Sequence, residues 1–323
     1  RNVQLFGRND EYFQDRLNYR GRRENFPPLF HSLDEPGKKI YDNRNRGTDM
    51  IRTDIHTHTK FSADGRNSIE EMIAAAMQKG LAWYGISEHF NYDYDRLHLT
   101  IDGQEVPPID ERAYFTRARE LQKQLRGKLH LLVGAEFGYD NANSTLQRYI
   151  ETEQEYSPDF VVNSVHTCLG MDCYFPHYCV GKSKEYAYNA YLYRVLESLD
   201  APYRYDIVAH IGYCSRNATY PDPKLRYEDY ADVLDEILKR IIARGKILEV
   251  NSSAKTAGSP FIPDTDILER YFELGGRMVS FASDAHDTTR IADRRDIVVA
   301  ALKKVGFTHL TIPDKGRYLQ LEI

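Results

Sequence analysis

The chain has 323 residues, enough for two average domains or one large α/β barrel, and its 41% apolar and 28% charged residues suit a protein that buries a core. A net charge of −5 with no long basic block argues against a broad nucleic-acid surface, and no run of 18 apolar residues is present to span a membrane. The first 30 residues are charged and lack the apolar stretch of a signal peptide, and the four cysteines form no spaced disulfide framework, so a reducing, cytoplasmic compartment is expected.

Residues 1–49 differ from the rest. They are rich in Arg and Asn, are broken by Pro27-Pro28 and Pro36-Gly37, and hold Phe6, Tyr12, Phe13, Phe26 and Phe30, more aromatics than a disordered tail carries. They read either as an arm packed on the main domain or on a second subunit of a homo-oligomer, or as a loosely held extension. From residue 50 to 323 short apolar strands alternate with amphipathic helices. Strands are expected over 50–56, 82–87, 129–136, 159–165, 205–210, 246–251 and 277–283, with a last one near 308–312. Helical patterns fall near 68–79, 111–126, 143–155, 184–199, 227–244, 264–275 and 289–304. Ser68 with Glu71 forms a capping box that opens the first helix, and Gly80, Gly127, Gly245 and Gly275 stand where helices stop. Seven βα units in series predict a parallel sheet closed into a TIM-like barrel, whose active site lies at the C-terminal ends of the strands.

Those strand ends carry metal-binding side chains in order. The first strand ends at His56 and His58, one residue apart and so on one face, and Asp64 follows in its loop. The second runs into Glu88-His89, the third ends at Glu136, the fourth at His166 and the fifth at His210. The sixth, Ile247-Leu248-Glu249-Val250-Asn251, ends with Ser252 and Ser253, and the seventh with Asp284 and His286. One His-x-His pair proves little, since with 11 histidines it arises by chance roughly a third of the time. More than half of those histidines lie at or just past C-terminal strand ends, which random scatter does not produce. Imidazole with carboxylate is the ligand set of Zn²⁺, Mn²⁺ or Fe²⁺. Nine candidates exceed one ion and fit two or three, with Glu136 the natural bridge. Clustered divalent metals stabilise both oxygens of a phosphoryl transfer and generate a hydroxide near neutral pH, so the implied reaction is hydrolysis of a phosphate ester.

The segments His56-Thr57-His58-Thr59-Lys60-Phe61-Ser62-Ala63-Asp64-Gly65, Ser87-Glu88-His89, Gly134-Ala135-Glu136, Ser164-Val165-His166, Glu249-Val250-Asn251-Ser252-Ser253 and Ser283-Asp284-Ala285-His286 resemble, in order, the PHP (polymerase and histidinol phosphatase) superfamily. Asp64, where other branches place His, is similar to the histidinol-phosphatase branch. The resemblance implies a distorted (β/α)7 barrel with three divalent ions and L-histidinol phosphate as substrate. By motif match one ion takes His56, His58, Glu136 and Asp284, a second shares Glu136 and adds His166 and His210, and a third takes Asp64, His89 and His286. Two departures are visible. His210 sits in Ala-His-Ile-Gly where the branch has Gly-His-Leu/Ile-Asp, and Ala254-Lys255-Thr256 stands where it places an arginine.

A phosphate also needs cationic partners. Arg216 and Lys255 follow the fifth and sixth strands and are candidates, Ser253 offers a hydroxyl, and Lys60 is a weaker candidate; for each the alternative is simple exposure to solvent. A metal-bound water, Asp64 or a histidine behind the ligands could protonate the leaving alkoxide, and the sequence does not choose among them. Loop 90–110, with Tyr92, Asp93, Tyr94, Asp95, Arg96 and His98, is long enough for a lid, and Asp93 or Asp95 could pair with a substrate ammonium. Cys168, Cys173, His177 and Cys179 match no common zinc spacing and read as free thiols, while His31, His98, His130 and His309 read as structural. Two rivals remain at this point: a nucleotide or nucleic-acid phosphoesterase on the same centre, and a non-catalytic metal-binding module.

Overall fold

The computed structural model describes residues 52–101, 104–254, 256 and 258–323. The 1–49 segment, His31 and Lys255 lie outside the described residues. The strands in chain order are β1 (Arg52–Asp54), β2 (Leu81–Phe90), β3 (Thr100–Ile101), β4 (Gln104–Glu105), β5 (His130–Gly138), β6 (Val161–Ser164), β7 (Thr167–Cys168), β8 (Met171–Asp172), β9 (Ile207–Val208), β10 (Ile247–Asn251), β11 (Val279–Ala282), β12 (His309–Asp314) and β13 (Arg317–Glu322). The helices are α1 (Ile69–Gln78), α2 (Tyr92–Leu97), α3 (Glu111–Gln124), α4 (Asn143–Tyr156), α5 (Lys184–Ser198), α6 (Ala231–Ala243), α7 (Thr265–Glu273) and α8 (Arg295–Val305).

Seven strands form one parallel sheet in the order β1-β2-β5-β6-β9-β10-β11, each followed by a helix, as the sequence predicts. The seam between β1 and β11 is bridged just beyond the strands, where Thr57 pairs in parallel with Ala285, so the sheet is a nearly closed (β/α)7 barrel. Local chemistry sets the elements. Ser68 Oγ accepts from Glu71 N while Glu71 caps Ser68 N, the expected capping box. Ile69, Met72, Ile73 and Ala76 then repeat at helical spacing and turn one stripe of α1 inward. In α6 the stripe is Val233, Leu234, Ile237, Leu238 and Ile241. β2 and β5 are buried along nearly their whole length because helices cover one face and the barrel interior the other, with polar residues gathered toward their C-terminal ends. Among the described residues, no helix is long and apolar enough to cross a membrane.

Three features were not foreseen. The strand expected near 308–312 is one arm of an antiparallel hairpin, β12–β13, which stands outside the barrel sheet. Its Ile312 and Leu321 join Trp83, Leu132, Phe160, Val162, Ile207 and Ile247 in one buried apolar cluster near the N-terminal ends of the strands. The loops after β2 and β6 fold into short pieces: α2 with the β3–β4 hairpin, and the β7–β8 hairpin. Elements of two to six residues are too short to show a period in sequence.

Candidate metal centre

Barrel closure assembles the site. Asp284 N donates to His56 O at 2.9 Å, and His58 N donates to Ala285 O at 2.8 Å, so the first and last ligand triplets are hydrogen-bonded neighbours across the seam. Below them Asp54 accepts from Ser283 N (3.0 Å) and Ser283 Oγ (2.5 Å), tying β1 to β11.

Glu136, fully buried near the end of β5, is the hub. Its Oε1 lies 3.3 Å from His56 Nε2, 3.2 Å from His166 Nε2 and 3.0 Å from His210 Nε2. Its Oε2 lies 3.6 Å from His58 Nε2 and 2.6 Å from His89 Nδ1. Asp284 Oδ1 stands 3.3 Å from His58 Nε2 and 3.9 Å from His56 Nε2. Toward solvent, Asp64 Oδ2 is 3.1 Å from His286 Nε2 and its Oδ1 is 3.7 Å from His89 Nε2. All nine residues singled out in the sequence therefore meet at one end of the barrel. Within the cluster, three triads have donor atoms all within 4.8 Å of one another: His56 with His58 and Glu136; His89 with Glu136 and His166; and His58 with His89 and His286.

The spacing fits metal. A tetrahedral zinc with bonds of about 2.0–2.1 Å separates its ligand atoms by about 3.3–3.4 Å, close to most of these distances. His56 Nε2 and His58 Nε2 are buried without a hydrogen-bond partner, and both face the Glu136 carboxylate. Buried polar atoms rarely stay unmatched, and a divalent cation between these rings and the carboxylate fits the donor set. The far ring nitrogens are braced instead. His56 Nδ1 donates to Glu249 Oε2 (2.7 Å), His166 Nδ1 to Asn91 Oδ1 (3.1 Å), His58 Nδ1 to Ser62 Oγ (3.4 Å) and His286 Nδ1 to Asp284 O (3.0 Å). Such partners fix the tautomer and aim Nε2 at the metal. Glu88 does not enter the centre; it accepts from Thr59 N, Thr59 Oγ1 and Ser62 Oγ and so shapes the loop after His58. Gly138 is required beside this bracing, since a Cβ there would stand 2.3 Å from Asn91 Oδ1 and 3.2 Å from His166 Nδ1. His210 (φ 28°) and Asp284 (φ 52°) adopt left-handed backbone, strain of the kind that gathers at functional sites.

The electrostatics point the same way. Burial disfavours ionised Glu136, yet His56, His166 and His89 more than reverse it and hold the carboxyl well below the usual carboxylate range. Against burial, Glu249 and Glu136 raise His56 well above its ordinary value, and Glu136 with Asp64 pushes His89 up to about 9. Burial, together with His89 and His286, holds His58 well below its ordinary value. The carboxylates draw positive charge into the cluster, in the form of protons when no cation is bound.

A cavity of about 1070 Å³ opens over the centre, bordered by Asp64, His89, His166, Asp284 and His286. Arg216 lines it but is 6% exposed; its Nη2 donates to Asp284 Oδ2 and Asn251 Oδ1, both at 2.9 Å, and its Nε has no hydrogen-bond partner. Ser253 lines the cavity too. Lys60 is exposed and does not border it. Loop 90–110 forms part of the wall through Tyr92, Tyr94 and Val106–Ile109, as a lid would. Asp93 departs from expectation. It is buried outside the lining, accepts from Thr167 Oγ1 at 2.5 Å, and is not aimed at a ligand. Cys168, Cys173, Cys179 and Cys214 are buried free thiols, and none joins a cluster of metal donors among the described residues. His130 stacks on Trp83, while His98 and His309 belong to no donor cluster. The bracing roles of Glu249 and Asn91 were not foreseen. For Glu249 a signal existed: a carboxylate amid the apolar residues of a buried strand needs a partner.

A parallel seven-strand ring that gathers imidazoles and carboxylates at the C-terminal ends of its strands defines a barrel protein with a cluster of metal-binding groups at its mouth. Residues 54–253 match the PHP domain family. The chain belongs to that family, in its histidinol-phosphatase branch. It is 34% identical over 236 residues to a "Probable histidinol-phosphatase" of Clostridium acetobutylicum, covering 72% of this chain and 86% of that protein. A histidinol-phosphatase of Lactococcus lactis is 26% identical over 267 residues, 81% of this chain and 94% of that one. The crystal structure of histidinol phosphate phosphatase from Lactococcus lactis, complexed with zinc, L-histidinol and phosphate, shares the fold with a TM-score of 0.67 at 24% identity, covering 84% of this chain and 99% of that one.

Proposed function

We propose that this chain is a metal-dependent phosphatase that hydrolyses L-histidinol phosphate to L-histidinol and inorganic phosphate. The observation that carries the reading is Glu136, a buried carboxylate whose two oxygens face imidazoles on every side. The relatives named as histidinol-phosphatases, matched over most of their length, supply the substrate. Three ions are assigned to the nine donors: one to His56, His58, Glu136 and Asp284, one to Glu136, His166 and His210, and one to Asp64, His89 and His286. Bound there, zinc, manganese or iron supplies a water nucleophile at neutral pH and neutralises phosphoryl charge.

The protein's own residues do the rest. Glu136 is assigned to two ions: its Oε1 lies beside His56, His166 and His210, and its Oε2 beside His58 and His89. Glu249, Asn91 and Ser62 hold the rings in register. Arg216 lines the cavity, is locked by Asp284 and Asn251, and is assigned to a phosphoryl oxygen. Ser253 at the cavity wall, and Lys255 two residues on in the sequence, are assigned to the same anion. Asp64, half-exposed at the mouth, is assigned as a ligand; against burial, His286 and His89 beside it hold its carboxyl well below the usual carboxylate range. The catalytic domain is assigned to residues 50–323, and a homo-oligomer formed through residues 1–49 is the reading for the arm.

The test couples elemental analysis of the purified chain to phosphate release from L-histidinol phosphate, nucleoside monophosphates, an aryl phosphate and single-stranded DNA. Bound divalent metal with the highest kcat/KM on L-histidinol phosphate is expected. Faster cleavage of DNA or nucleotides, or no turnover of any ester by metal-loaded protein, overturns the reading.

A further inference from the structure

Asp172 closes the β7–β8 hairpin that follows His166, and its carboxylate faces the cavity while being 6% exposed. It accepts from Tyr94 Oη (2.6 Å), from Tyr174 N (2.8 Å) and, at longer range, from Tyr213 Oη (3.4 Å). A carboxylate offers about four acceptor positions, so one remains open. No Lys, Arg or His stands within ion-pairing distance of it among the described residues. The other carboxylates on the cavity wall already face cationic groups: Asp64 faces His286, Asp284 faces Arg216, and Asp287 faces Arg66. Tyr213 links Asp172 to the centre, because its ring lies 5.0 Å from the rings of both His166 and His210. The open anion is therefore one tyrosine away from two of the assigned metal ligands, between aromatic walls from Tyr94, Tyr174, Phe175 and Tyr213.

We propose that Asp172 is the subsite for the substrate's ammonium group and sets the preference for an amino-alcohol phosphate. The inference rests on the phosphatase reading above. In L-histidinol phosphate the amine is two carbons from the ester oxygen, so an ammonium trails a phosphate held over the metals and enters this wall. The carboxylate takes its charge, and the tyrosine faces, whose hydroxyls are turned to Asp172, add cation–π attraction. Asp93, one of the two aspartates considered from sequence for this role, is buried against Thr167, and Asp172 in the loop after His166 is assigned the role instead.

The test compares kcat/KM for L-histidinol phosphate and its des-amino analogue, 3-(imidazol-4-yl)propyl phosphate, on metal-loaded full-length protein. A charge-assisted hydrogen bond corresponds to roughly a 10- to 100-fold preference, and wild type is expected to show that preference for the amine, mainly in KM. Asp172→Asn collapses the ratio toward one through KM for the amine substrate. Tyr94→Phe, which keeps the ring and loses one hydrogen bond to Asp172, lowers the ratio about threefold and decides the matter if Asp172→Asn fails to fold. A wild type without preference for the amine, or variants that slow both substrates equally, overturns the subsite alone. Wild type inert toward both esters overturns the phosphatase reading and this inference with it.

Discussion

Near the N-terminal ends of the barrel strands, Trp83, Leu132, Val162, Ile207 and Ile247 close against Ile312 and Leu321 of the C-terminal hairpin, and the cluster is apolar throughout. At the C-terminal ends of the same ring stand Glu136, His56, His58, His166 and His210, just as buried, with the inward nitrogens of His56 and His58 unmatched and two residues in left-handed backbone. One end gains stability from removing apolar surface from water. The other forgoes packing to hold donors that only a cation can satisfy. A barrel lets both be true because strand direction separates the ends: each strand contributes its early residues to packing and its late ones to chemistry.

Glu136→Gln breaks the mouth most severely. It removes the carboxylate shared by two assigned ions, so phosphatase activity is expected to fall by about a thousandfold or more. Elemental analysis should show fewer bound ions. Retained activity with full metal content would remove the hub from the account. Chelation followed by return of zinc, manganese or iron should abolish and restore the same activity.

Asp93 tests whether buried charge outside the cavity follows the rule of the mouth. Burial pushes its carboxyl up to about 7. The folded state then keeps a proton that the unfolded chain has lost between about pH 4 and 7, so this group makes stability fall as pH rises through that window and contributes no further change above it. The full effect is about 4 kcal/mol at three pKa units. Asp93→Asn should flatten the difference between urea unfolding at pH 5.5 and pH 8; equal slopes in the two proteins would refute the assignment.

Ile312→Ala probes the other end. Deleting a fully buried isoleucine side chain should cost about 3 kcal/mol of stability while kcat and metal content stay near wild type at a temperature where the protein is folded. A large loss of activity with little loss of stability would merge the two ends into one functional unit.

Much of this division was legible in the sequence. The nine donors follow strand ends, the Ser68–Glu71 box and the terminal glycines delimit helices, and period and order together imply the ring. What escaped was set by tertiary contact. The hairpin at β12–β13 reads as one strand because its second arm, Arg317–Glu322, packs one face only loosely. Asp93 stood out in the loop expected to form a lid and Asp172 did not stand out at all, and only the fold shows that the first is turned away from the cavity and the second lines it.

Glu249→Gln gives the smallest and most discriminating effect. The residue is buried like the apolar cluster, yet it serves the mouth: Oε2 holds His56 Nδ1, while Oε1 accepts from Asn251 Nδ2 at 2.8 Å and His210 N at 3.3 Å. Glutamine keeps the shape and most of these contacts but removes the charge that makes His56 a stronger donor to metal. Loss of such a partner weakens metal affinity by about 10- to 100-fold. Competition with a chromophoric chelator measures it directly, and unfolding of the chelated protein supplies the control. If Glu249 belongs to the mouth, affinity drops while chelated stability changes less than in Ile312→Ala. If stability drops and affinity does not, Glu249 is a packing residue, and the boundary between the two ends lies closer to the cavity than the hydrogen bonds indicate.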